Sequence, residues 1–169
     1  CQGRNVTLAF LSFMCICFIS DEIGWINTYF IEIMDKLSHT GKCQMVQMLL
    51  KSWVYALDHA EQNKTFVRGL FELLIMKFGD CIDQSTYTTF INKVVSSGCS
   101  NDFIEIFTHA LQHLPSTESV IYVFFGASLL KGNTEQGYFD DFLQAANAYI
   151  QYAGPAMLSF YRMTIDKNQ

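Results

Sequence analysis

His109 and His113 stand four residues apart, and Glu105 lies four residues before His109. On a helix these three share a face, and imidazole nitrogens with a carboxylate oxygen are donors that suit zinc or another divalent ion. The pattern stops short of a zinc hydrolase, because Ala110 follows His109 where an H-E-x-x-H motif requires glutamate. His113 also precedes Leu114-Pro115, a helix end, where an imidazole gains from the helix dipole. Solvated or helix-terminal roles are the preferred reading, and no metal is expected.

Other chemistry-bearing pairs are weaker. Asp80 and Asp83 flank Cys81, while Asp21-Glu22 and Asp140-Asp141 are adjacent. Glycoside-cleaving carboxylates must converge from separate elements across a cleft, so these neighbours read as caps and solvated faces. Ser128 and Lys131 have Ser-x-x-Lys order, but the companion motifs of that chemistry are absent, as are G-x-S-x-G and glycine-rich phosphate loops. The chain is read as a non-enzyme, with no catalytic residue and no cofactor.

Aromatic side chains carry the stronger functional signal. Fifteen Phe, eight Tyr and two Trp exceed what a core of this size needs. Trp25, Tyr29, Trp53, Phe71, Tyr122, Phe125, Phe142 and Tyr149 fall on several predicted helices. They are the candidate walls of an apolar site, since concave sites combine apolar walls with a few polar anchors. The leading expectation is a binding protein for a hydrophobic small molecule or lipid, with a closed cavity of roughly a few hundred cubic ångströms. The alternative is a protein-recognition or self-association module, with part of the aromatic excess on the surface.

Charge and sulfur narrow the setting. Eleven basic against 16 acidic residues give a net charge of −5. No segment concentrates Lys or Arg, which argues against nucleic acid as a partner. Six cysteines, at positions 1, 15, 17, 43, 81 and 99, allow three bridges, and no Cys-x-x-Cys redox pair occurs. Cys15 and Cys17 point in different directions on a helix, so each is expected to pair with a different distant cysteine among Cys1, Cys43, Cys81 and Cys99. Each long-range link would contribute about 3 to 4 kcal/mol by restricting the unfolded chain. Two glycosylation sequons, at Asn5 and Asn63, agree with an oxidising compartment, and the expectation is a secreted, extracellular protein.

These groups must be positioned by helices. One domain over residues 1–169 is expected. The apolar run Val6 to Ile19 covers 14 residues, too short to span a bilayer, and reads as a buried first helix in a protein that does not cross the membrane. Apolar residues at three- and four-residue steps then predict helices from Ile23 to about Leu37, Cys43 to Ala60, Thr65 to Phe78, Ser85 to Ser97 and Asp102 to Leu114. Another follows Pro115 up to Gly132, and a last one from Thr134 is interrupted or kinked at Gly154-Pro155. Thr40-Gly41 and Gly98 read as stops, and Val120 to Phe125 is the one stretch that also suits a strand. Phe30, Phe66, Phe103 and Phe139 are spaced by 36, 37 and 36 residues, each opening a helical phrase, which suggests about four helical hairpins. The fold class is therefore all-α, read as a disulfide-stabilised multi-helix bundle, with a short stack of hairpins as the other arrangement.

Overall fold

The computed structural model describes residues 23–57, 61–113, 115 and 117–167, with side chains outside 23–27, 29, 55, 56, 61–68, 70, 117, 118 and 156–167. Every regular element among them is helical. The α-helices are α1 (Ile23–Asp35), α2 (His39–Ala56), α3 (Glu61–Phe78), α4 (Gln84–Ser96), α5 (Ser100–Gln112), α6 (Thr117–Leu130) and α7 (Gln136–Lys167). Single 3-10 turns, Gly79–Cys81 and Lys131–Asn133, follow α3 and α6. The run from Val6 to Ile19, with Cys1, Cys15, Cys17 and Asn5, lies outside the described residues.

Local chemistry sets the helix ends. Asp83 caps α4: its carboxylate accepts from the Thr86 amide and the Thr86 hydroxyl, both at 2.9 Å. At the other end Gly98 adopts φ 72°, the Cys99 amide reaches the Val94 carbonyl at 3.0 Å, and the Gly98 amide reaches that of Val95 at 3.1 Å. This double bond is the glycine stop expected at Gly98. Thr40-Gly41, by contrast, does not end a helix. The Ser38 hydroxyl accepts the Gly41 amide at 3.2 Å and so opens α2 at His39, placing both residues in its first turn.

Two further readings are resolved. Val120 to Phe125 is helical, and α6 is apolar nearly all round because α3, α4, α5 and the Gly79–Cys81 turn all pack against it. Gly154-Pro155 does not break α7, which continues through Pro155 to Lys167 although proline offers no amide to the preceding turn.

The helices form two sets of neighbours. α3 packs on α5 and α5 on α7, while α2 packs on α4 and α4 on α6. Contacts within each set recur at nearly constant separation. Glu72 meets His109 across 37 residues, and Tyr87 meets Tyr122 across 35. Glu135 meets Asn101, and Tyr149 meets Pro115, each across 34 residues. A constant offset means that the paired helices run parallel. Phe103 and Phe139, two members of the spaced phenylalanine series, occupy the same fourth position of α5 and α7. α1 departs from this register: Phe30 packs edge-on against Phe78, 5.5 Å away between ring centres.

Phe71 lies at the centre, on α3, fully buried. Its ring centre is 5.1 Å from that of Phe90 and from that of Phe103, and 5.9 Å from that of Phe107. Tyr87 closes the cluster by donating its hydroxyl to the Tyr122 carbonyl at 2.5 Å. Gly126 makes that possible, since a β-carbon there would sit 2.4 Å from the Tyr87 hydroxyl and 2.6 Å from the Phe107 ring. Among the described residues, no helix is long and apolar enough to cross a membrane.

Candidate functional site

Three places outside the packed centre bring together groups capable of binding. The first contains the two histidines singled out by their spacing. His109 near the end of α5 and His113, which caps that helix, do come together, with ring centres 4.2 Å apart. Their carboxylate neighbour is not Glu105, however, but Glu72 of α3, which contacts His109 Nδ1. His113 Nδ1 lies 2.8 Å from the His109 carbonyl oxygen and donates to it. Glu105 itself is exposed.

The second place is the corner where α2 begins and α3 ends. His39 and Cys43 are one turn apart on α2, and His39 Nε2 is 3.6 Å from Cys43 Sγ. Ligand atoms of His39, Cys43 and Cys81 all lie within 4.8 Å of one another. Cys81 arrives on the 3-10 turn after α3, and its neighbour Asp80 places a carboxylate oxygen 3.9 Å from the far nitrogen of His39, Nδ1. Burial, then the hydrogen bond with Cys43 and the Asp80 charge, pushes the Cys81 thiol up to about 12. A cleft of about 390 Å³ borders this corner, with Lys42, Lys77 and Asp35 among its walls.

The third place is α7. A groove of about 520 Å³ runs between α5 and α7, floored by Leu111, Ala145, Ala148 and Tyr149 with Gln112 and Asp141 at its edges. On another flank of α7, Leu143 and Ile150 are exposed, as is Ile121 on α6. Phe124, one turn after Ile121, packs its ring against Phe142 and Tyr149. The exposed aliphatic groups thus lie on the two helices that carry a seam of half-buried Phe124 and buried Phe142 and Tyr149.

The candidate aromatic walls are distributed differently from a single cavity lining. Trp53, Phe71, Phe142 and Tyr149 are buried, while Tyr122 and Phe125 are half-buried. Trp53 faces Phe90, and Tyr122 and Phe125 face Tyr87. Of these, Tyr149 also borders the α5–α7 groove, while its hydroxyl donates to the Pro115 carbonyl at 2.9 Å. Trp25 and Tyr29 belong to α1 and Asn63 to the first turn of α3, but their side chains lie outside the described set.

Among the described residues no disulfide joins Cys43, Cys81 and Cys99 to one another, and the other expected ends, Cys1, Cys15 and Cys17, lie outside the described residues. Cys43 and Cys81 face each other beside His39, and the Cys99 thiol is directed at the Ser97 carbonyl, 3.6 Å away. Glu72 and Asp80 are the functional candidates that spacing along one helix misses, since each meets its histidine from another element. The Phe66-to-Phe103 interval carried the signal for Glu72: six residues on from each phenylalanine are Glu72 and His109.

Compared with models of protein families, with curated proteins and with solved structures, the chain matches none. It is an all-α protein.

Proposed function

We infer that the protein is a helical recognition module that acts outside the cell and takes an amphipathic helix of a partner protein against α6 and α7. One observation carries the reading. Among the described residues most aromatic rings are spent on ring-to-ring packing, whereas Ile121, Leu143 and Ile150 stay exposed on the two helices that carry the seam of Phe124, Phe142 and Tyr149. A helix laid there would continue the side-by-side packing of the fold and bury Leu143 and Ile150, two turns apart on α7, together with Ile121 of α6. The extracellular setting is supported by the sequons at Asn5 and Asn63 and by the six cysteines.

A second reading rests on the α5–α7 groove, whose volume of about 520 Å³ falls in the size range of small-molecule sites. Its apolar floor and polar edges suit a hydrophobic small molecule or lipid.

Both are tested with a photoreactive phenylalanine at position 143 or, separately, at position 148. A protein adduct at 143, whose purified partner binds at least tenfold more weakly to Leu143→Glu/Ile150→Glu, supports the recognition module. Adducts of lipid mass at 148 alone support the groove instead and overturn the first reading. Adducts at neither position dismiss both.

A further inference from the structure

We propose that His39, Cys43 and Cys81 form a binding site for zinc, with Asp80 as the group that orients His39. The donor set is the first argument. Two sulfurs and one imidazole are borderline-soft ligands, which favour zinc over magnesium or calcium. Geometry is the second. On a tetrahedron with Zn–S about 2.3 Å and Zn–N about 2.0 Å, a sulfur and a nitrogen ligand stand about 3.5 Å apart. His39 Nε2 and Cys43 Sγ are 3.6 Å apart, and Cys81 Sγ completes a set within 4.8 Å. Three ligands thus approach a common centre with only small side-chain rotations.

Asp80 supplies the third argument. It faces His39 from the Nδ1 side, 3.9 Å away, whereas the sulfur faces Nε2. Metal-bound histidines are commonly held in this way, with the second ring nitrogen turned to a carboxylate that fixes the tautomer. The three protein ligands leave a fourth tetrahedral position for water, on the side of the cleft bordered by Lys42 and Lys77. Zinc held here ties the start of α2 to the turn after α3, and four cysteines remain for cross-links.

The rival cluster, Glu72 with His109 and His113, lacks sulfur and so offers no soft ligand. It serves as the internal control.

Cobalt(II), added to the reduced whole chain, is the probe. The expected result is one equivalent bound with tetrahedral ligand-field bands and a thiolate-to-cobalt charge-transfer band, displaced by zinc. Cys43→Ser and Cys81→Ser should each reduce the charge-transfer intensity by about half, one thiolate of two. Asp80 is exposed and can be changed without disturbing the core, so Asp80→Asn keeps the bands but binds cobalt about 10-fold or more weakly. His109→Ala/His113→Ala leaves titration and spectrum unchanged. The proposal is overturned by a folded, reduced protein with no thiolate band, by bands that survive unaltered in both cysteine variants, by loss of binding in the double-histidine variant, by an Asp80→Asn affinity equal to the parent, or by isolation of the protein with Cys43 and Cys81 joined.

Discussion

The centre around Phe71 and the outer surface of α6 and α7 use the same residue types to opposite ends. At the centre, rings from α3, α4, α5 and α6 are in contact, and even a hydroxyl finds its carbonyl, from Tyr87 to Tyr122. At the edge, Ile121, Leu143 and Ile150 lie on helices that carry equally apolar rings but have water beyond them. The difference shows that most of the described aromatic rings, Tyr152 apart, are satisfied by packing, while Ile121, Leu143 and Ile150 remain at the surface. Stability belongs to the first region, and the proposed recognition function uses the second.

Substitutions separate the two regions by size of effect. Phe71→Ala should have the largest, about 3 to 5 kcal/mol, from lost burial and a cavity among rings that cannot collapse into it. Denaturant unfolding reads this as a lower midpoint with an unchanged slope. Gly126→Ala comes next, at about 1 to 3 kcal/mol, because the new methyl must displace Tyr87 and Phe107. Helix propensity alone would predict a gain of about 1 kcal/mol for that exchange, so its sign is diagnostic.

Tyr87→Phe should cost about 1 to 2 kcal/mol by leaving the Tyr122 carbonyl without its donor. Burial holds the Tyr87 hydroxyl well above its ordinary range. Its contribution is therefore complete below the unfolded value of about 10 and declines as pH rises past it, since the unfolded chain ionises first. Melting measured from neutral to alkaline pH should show the parent and Tyr87→Phe converging. A smaller loss is expected from Asp83→Ala, which removes the α4 cap. The Thr86 hydrogen bonds hold the Asp83 carboxyl below its usual range, so its contribution is present above the ordinary carboxylate pKa and disappears as pH falls through the lowered folded value. The two melting temperatures should meet in acid.

Much of this architecture could be read beforehand, for definite reasons. Three- and four-residue apolar spacing located the helices, and Gly98 declared its stop because a left-handed residue is needed there. Thr40-Gly41 misled because the cap that opens α2 comes from Ser38, before both. Gly154-Pro155 left an interruption or a kink open, and α7 runs on through Pro155 without an interruption. The histidine pair on α5 was visible from its own spacing, but Glu72 comes from a parallel neighbour and is found only by applying the phenylalanine interval across helices. Likewise, counting cysteines foretold bridges, whereas the Cys43–Cys81–His39 corner depends on a turn after α3 that no single-helix pattern contains. Residues crowded into ring packing looked the same in sequence as residues lining a site.

The division between centre and edge meets its most direct test in one double variant, Leu143→Glu/Ile150→Glu, measured for both unfolding free energy and partner binding. The account predicts stability within about 0.5 kcal/mol of the parent, as for surface exchanges, together with loss of the partner. A fall in stability comparable to that of Phe71→Ala, or a partner held as tightly as before, would contradict it.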